Sequence, residues 1–359
     1  MGGSVKTMNA CEKYPSSMVH RAINTGRSFL IIAAFFLAVS GALADESSLL
    51  SAIQQNVDWL RNPLPGKWKT VSADPMVLSQ KETDPVFGFT PKRIIIFCRG
   101  STVYEAEIVY MQSGYSMNEW KKSTPEEKQA YNTAFDQLKT DLPKALAQIT
   151  GTPGQATKLT ANGWNYSFNV TDYPYKGLVL RLYVEDKKSI CLMIGKPEDS
   201  PTNLLVMPSA DARRTALAQN VVHNPNGDVL ITHLPVIDQD GRPDCGPACW
   251  TEVARYYGLN VFQEMMLSDK RGGGKGIDGA AALTKDWETT FDFTKIQKSI
   301  DAGNPIWFDE SGHVALVTGY NAAQNQIFRT DSWGEGSRNK RVPVDKFASH
   351  AKGFIYFIP

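Results

Sequence analysis

The sequence lacks a clear excess of charge of either sign: 38 Lys and Arg stand against 37 Asp and Glu, a net charge of +1, and no Lys/Arg block stands out. That argues against nucleic acid or an anionic membrane surface as the main partner. There is no internal repeat and no low-complexity tract. Long apolar runs are also missing. The longest, Phe29 to Val39, is shorter than the ~20 residues that span a bilayer, and no second run follows it, so no membrane span is expected in the rest of the chain. Cysteine and histidine are scarce, at five each. Cys245 and Cys249 lie at helical spacing with no histidine pair nearby, and zinc would need four ligands, so neither a metal nor a cofactor is expected. The glycine-rich stretch Lys270 to Gly276 has neither the spacing of a phosphate loop nor a strand before it, and reads as a flexible loop.

Arg21 and Arg27 precede the apolar run, and Ser40-Gly41-Ala42-Leu43-Ala44 and then Asp45-Glu46 follow it. A basic flank, a short apolar run and a small-x-small site read as a secretory signal over 1–44, cleaved after Ala44. The expected location is therefore secreted or periplasmic. Removing the leader takes Cys11 with it and leaves Cys98, Cys191, Cys245 and Cys249. Cys98 and Cys191 each fall in an expected strand, where they would either pair in an oxidising compartment or stand as two separate buried thiols.

The pattern along the chain is α+β. Residues 45–62 read as an amphipathic helix, with Leu49, Leu50, Ile53, Val57 and Leu60 at three- and four-residue steps. After a Pro/Gly/Trp-rich stretch come strands over Lys92–Cys98 and Thr102–Met111, joined by a hairpin at Arg99-Gly100-Ser101. Thr124-Pro125-Glu126-Glu127 opens a helix with a capping box, running towards Thr150 and kinked or broken near Pro143. Strands follow over Gly163–Val170, Leu178–Glu185 and Ser189–Lys196, with Tyr173-Pro174-Tyr175 read as a loop packed on the sheet. Pro208 to Val222 reads as a polar helix, and His223 to Asp228 as turn-forming punctuation. The expected organisation is a signal (1–44), an N-terminal α+β domain of unassigned role (45–222) and a second domain (223–359).

Chemistry concentrates in the second domain. The stretch Gln239-Asp240-Gly241-Arg242-Pro243-Asp244 is loop in character. From Cys245 onward Trp250, Val253, Ala254 and Tyr257 mark a helix that stops at Gly258. Cys245 thus occupies a helix N-terminus, where unpaired N–H groups and the dipole favour an anion and hence a thiolate. Such a nucleophile needs a base, and the base an orienting group. His313 opens an alternating β-branched run, His313 to Tyr320, and Gln326 to Thr330 forms another strand before Asp331-Ser332-Trp333-Gly334. A hairpin would carry Asp331 back beside His313 to hold the imidazole. The Gln239 amide, six residues before Cys245, can join the Cys245 backbone N–H in cradling an oxyanion.

The order of these elements resembles papain-like cysteine peptidases, which place a glutamine six residues before the nucleophile and an Asn-Ser-Trp-Gly element after the histidine. Asp244 to Cys249, and Gly303-Asn304-Pro305-Ile306 before the histidine strand, are more similar to the bacterial double-glycine leader peptidases and their C39-like relatives, which use aspartate as third member. The resemblance covers about residues 230–359. It implies a helix bearing the nucleophile packed on an antiparallel sheet, with catalytic Cys245, His313, Asp331 and Gln239. Two departures stand out. The transporter segments that follow the leader peptidases have no counterpart, so double-glycine cleavage is not implied. Cys249-Trp250 mimics the Cys-Trp of papain and makes Cys249 a rival nucleophile. The six-residue spacing from Gln239 favours Cys245, and Cys249, a full turn into the helix, reads as a small core residue.

These features lead to an exported cysteine peptidase acting on a peptide or protein substrate. The competing readings are a transglutaminase-like or amidase acyl transfer on the same triad, and a non-catalytic binding protein with a peptidase-like fold.

Overall fold

The computed structural model describes residues 47–81, 83–112, 123–160, 167–202, 210–239, 245–261, 263–267, 284–310 and 312–358. The expected signal over 1–44, the loop Asp240 to Asp244 and the stretch Lys270 to Gly276 lie outside the described residues. No helix among the described residues is long and apolar enough to cross a membrane.

The described chain is mixed helix and antiparallel sheet, α+β. Strands β1 (Lys69–Ala73), β2 (Met76–Gln80), β3 (Arg93–Arg99), β4 (Thr102–Gln112), β5 (Gln155–Thr160), β6 (Ser167–Tyr175), β7 (Leu178–Glu185) and β8 (Ser189–Gly195) build one eight-stranded sheet in the order β1-β2-β3-β4-β8-β7-β6-β5. Its pairings are antiparallel throughout. The hairpins at Gly100 and Lys187 turn through left-handed residues, with φ of 59° and 58°. On one face lies the long helix Pro125–Thr150, which contributes Phe135, Leu142 and Leu146. Thr124 and Glu127 complete the capping box, and Gly151, at φ 71°, ends the helix. Pro143 neither breaks nor ends it. The buried leucines on either side, Leu142 and Leu146, pack on the sheet, and tertiary contact overrides the proline's local cost.

Other expectations are corrected. The first helix ends at residue 54 rather than 62. Asn56 adopts φ 52°, its N–H reaches Ile53 O and the Val57 N–H reaches Ala52 O, a left-handed cap that stops the helix. Residues beyond it join the sheet instead: Val57 O accepts from Val103 N, Trp59 N donates to Ser101 O, and Leu60 is exposed. Tyr173-Pro174-Tyr175 is the end of β6 rather than a loop. β5 pairs only as far as Asp172, so Pro174 faces no partner on that side and its missing N–H costs nothing there. Strands β1 and β5, short and polar, and β2, only five residues long, carried too little apolar alternation to be anticipated. Cys98 and Cys191 are buried and form no disulfide. They sit on strands either side of β4 and in different clusters, Cys98 among Ile94 and Ile96, Cys191 among Val109 and Met193. Two strand spacings of ~4.8 Å exceed the reach of a disulfide.

The helix expected over Pro208–Val222 is described over Ala210–Gln219 and ends before Val221, which already enters a strand. That strand, β9 (Val221–His223), begins a second antiparallel sheet. The others are β10 (Asp228–Ile231), β11 (Thr284–Glu288), β12 (Ile306–Glu310), β13 (His313–Asn321), β14 (Gln326–Thr330), β15 (Lys340–Pro343) and β16 (Gly353–Ile358). β13 organises it. Leu316 pairs with both Trp307 and Thr330, and Tyr320 with both Val229 and Ile327. β12 and β10 therefore share one edge of β13, and β14 takes the other. Gly319 lies where β10 and β14 both approach β13: a Cβ there would sit 2.5 Å from Val229 O.

The helix Cys245–Tyr256 packs between the two sheets. Cys249, Trp250, Val253 and Tyr256 enter the core of the second sheet, with Trp250 stacked on Trp307 at 5.5 Å. Ala248 and Ala254 face the first sheet and touch the clusters of Phe97 and Val109. Gly303 and Asn304, quoted for their family resemblance, accept hydrogen bonds from Tyr256 and Tyr257 at the far end of this helix.

Candidate active site

Cys245 opens its helix and is partly exposed. One turn on, Cys249 is fully buried, with Sγ 3.6 Å from Val314 O and 3.8 Å from Ser332 Oγ. Burial foremost, with the neighbouring Glu252 and Cys245 charges, pushes the Cys249 thiol well above its ordinary range.

His313 begins β13, and Asp331 immediately follows β14, so the hairpin brings them together with His313 Nε2 2.6 Å from Asp331 Oδ1. Bound to the carboxylate through Nε2, the ring has Nδ1 for another partner, and the Cys245 side chain is among the groups that favour the protonated imidazole. Burial alone would lower the imidazole's proton affinity. The hydrogen bond to Asp331, the neighbouring Cys245 side chain and the Asp331 charge outweigh burial and raise the His313 pKa to about 9. Burial likewise favours the neutral form of Asp331, but His313 and Arg329 together hold its carboxyl below the usual range.

Arg329 is a residue that sequence reasoning missed. Its Nε and Nη2 each lie 2.9 Å from an Asp331 oxygen, a bidentate fork, and Nη1 pairs with Glu310. The available signal was its position two residues before Asp331, where period-2 alternation puts both side chains on one face. Glu310 stands opposite His313 in the β12–β13 register. With the imidazole protonated, the line His313, Asp331, Arg329, Glu310 thus alternates in charge.

Gln239 is buried and held at both ends. Its N–H donates to Ser332 O at 2.9 Å, and its Oε1 accepts from Ser332 Oγ at 3.1 Å. With Oε1 so occupied, the Nε2 donor end of the amide is turned away from Ser332. The preceding segment is anchored by the Cys245 helix itself, since Glu252 Oε1 accepts from Ile237 N at 2.8 Å. Burial holds the Glu252 carboxyl well above its ordinary range. Ser332 therefore touches Gln239, Cys249 and the aspartate strand at once, a role that only the tertiary contacts reveal. Trp333 is 46 % exposed and is not part of a core.

Residues 231–356 match the Peptidase_C39 like family. No curated protein matches the chain. Among solved structures the chain is similar to the peptidase domain of Streptococcus ComA, described as a bi-functional ABC transporter involved in a quorum sensing pathway. Identity is 22%, over 35% of this chain and 99% of that one, with a TM-score of 0.29. The family match covers the segment that carries Gln239, Cys245, His313 and Asp331, and supports a cysteine peptidase over that segment.

Proposed function

We propose that the chain is an exported cysteine peptidase that hydrolyses peptide bonds, with Cys245 as nucleophile, His313 as base and acid, Asp331 as orienting group and Gln239 as oxyanion donor. The observation that carries the reading is the His313–Asp331 contact of 2.6 Å, made through Nε2. It directs the other face of the ring towards a cysteine at a helix N-terminus. In this scheme the Cys245 thiolate attacks the scissile carbonyl carbon, and the C=O electrons move onto oxygen. The Gln239 amide and the Cys245 backbone N–H stabilise that charge. The imidazolium gives its proton to the leaving amine as the C–N bond breaks. Neutral His313 then takes a proton from water as the water oxygen attacks the thioester carbon; the C–S bond breaks, the acid product departs, and the Cys245 thiolate is left beside protonated His313 as at the start. The stretch 1–44 serves in this proposal as the export signal, and the first sheet as a partner unit of the peptidase segment.

The test is to incubate the chain from Asp45 onward with a peptide library and identify products by mass spectrometry, with Cys245→Ala as the control. New peptide termini that vanish in Cys245→Ala support peptidase action. Cross-linked or deamidated products without cleavage point to the transglutaminase-like or amidase reaction. Absence of both turnover and Cys245 labelling by an epoxide thiol-protease inhibitor would leave a binding protein. Export is tested by expressing the full chain and sequencing the secreted N-terminus, where anything other than Asp45 rejects the assigned cleavage point.

A further inference from the structure

The first sheet reaches into the site through two cations. Arg93 on β3 is 3 % exposed and its guanidinium spans two parts of the peptidase segment. Nη1 donates to Asp238 O at 3.0 Å, and Nη2 lies 3.3 Å from Glu264 Oε1 on the short helix Gln263–Leu267. Lys69 on β1 holds the Asp238 carboxylate at 2.7 Å. Asp238 O belongs to the same peptide unit as the Gln239 N–H, and a peptide unit is planar. Arg93 grips one side of that plane, while Ser332 O grips the other at 2.9 Å. Two hydrogen bonds on opposite sides of one rigid plane fix its rotation, and so fix the direction in which the Gln239 side chain leaves the backbone. The Ser332 hydroxyl then sets the amide end.

We propose that Arg93 is a positioning residue for Gln239, which makes the first sheet a working part of the active site rather than a detachable pro-segment. The inference rests on the oxyanion role proposed for Gln239. Lysine cannot replace the arginine, because a single ammonium does not present the rigid fork that reaches Asp238 O and Glu264 together.

The experiment uses the chain from Asp45 onward and two probes. p-Nitrophenyl acetate acylates a thiol through an oxyanion. Iodoacetamide alkylates it by direct displacement at carbon, without one. Arg93→Lys is expected to lower kcat for the ester by ~10–100-fold, the scale of a misplaced catalytic group, with KM and the rate of Cys245 alkylation unchanged. Gln239→Ala is expected to lower kcat by ~10²–10³-fold, and adding Arg93→Lys to it should cost nothing further. A loss of the same size in both backgrounds, or slowed alkylation, overturns the role of Arg93 and leaves Gln239 in place. An unchanged kcat in Gln239→Ala removes the oxyanion reading, and this inference with it. Should Arg93→Lys fail to fold, Lys69→Met, at a half-exposed side chain, takes its place in the same cycle. A smaller loss that again disappears in the Gln239→Ala background is expected; no loss, or an additive one, overturns the proposal.

Discussion

Cys245 and Cys249 lie one turn apart on one helix, yet their surroundings oppose each other. Cys245 meets His313 at the helix start, while the Cys249 thiol is buried against Val314 O and Ser332 and is driven towards its neutral form. Cys245→Ala is therefore expected to abolish turnover. Cys249→Ala should retain much of it, losing some stability to a small cavity; a dead Cys249→Ala beside an active Cys245→Ala reverses the assignment. The charges around His313 give a second prediction with opposite signs. With its pKa raised to about 9, His313 is protonated below that pH, and kcat/KM is expected to fall above it. In Asp331→Asn the carboxylate charge is gone, and that alkaline limit moves down. Arg329→Met removes a cation that faces Asp331, and leaves Glu310 without its partner, so the limit moves up while kcat drops as Asp331 loses its fork. Two pH–rate profiles that superimpose on wild type would reject this electrostatic account.

The elements explain why those residues meet. β13 and β14 form a hairpin, so the start of one lies beside the end of the other, which places His313 against Asp331. Gly319 is where the hairpin also admits β10, with the register shift between Val317 and Gly319 next to it. A methyl group at 319 would meet Val229 O and the Phe328 ring, so Gly319→Ala should destabilise the chain by ~1–3 kcal/mol. Urea unfolding reads the loss, and a stability equal to wild type would mean that the strands part there at no cost. The long helix shows the opposite balance. Pro143 argues locally for a break, but buried Leu142 and Leu146 flank it and the helix continues.

At the scale of the whole molecule, the two sheets meet across buried charge. Among the described residues, Glu105 and Glu107 from β4 and Glu264 lie near the cations Arg93 and Arg255, of which Arg93 pairs with Glu264 and Arg255 bonds Glu105 at 2.8 Å. Burial, then the nearby Glu264 charge, raises the Glu107 carboxyl well above its ordinary value of 4.5. The folded chain thus keeps a proton that the unfolded chain releases as pH climbs past 4.5, and the contribution of Glu107 to stability is lost as pH rises. Relative to wild type, Glu107→Gln should gain stability between about pH 5 and pH 8, because an amide carries no charge at either. Denaturant melts of both proteins at the two pH values measure it, and a constant difference between them would rule it out.

What could be read directly were local features with local causes. The capping box at Thr124 and Glu127, the strands Leu178–Glu185 and Gln326–Thr330, and the helix from Cys245 are set by neighbours within a turn or two of chain. The pairing of His313 with Asp331 was also legible, because a tight hairpin leaves few alternatives. Short-range pattern failed where distant partners decide. Apolar spacing over 45–62 suggested one helix, but Asn56 turned the chain and β4 captured what followed. Polar β1 and β5 are strands because neighbouring strands satisfy their backbones, not because of their side chains. Arg93 stands 146 residues before Gln239, and nothing in its surroundings marks it as a partner of the site. Only the packing of the first sheet on the Cys245 helix brings its guanidinium to Asp238. A buried cation is held by whichever acceptors the fold delivers to it, and the amino-acid order alone does not specify them.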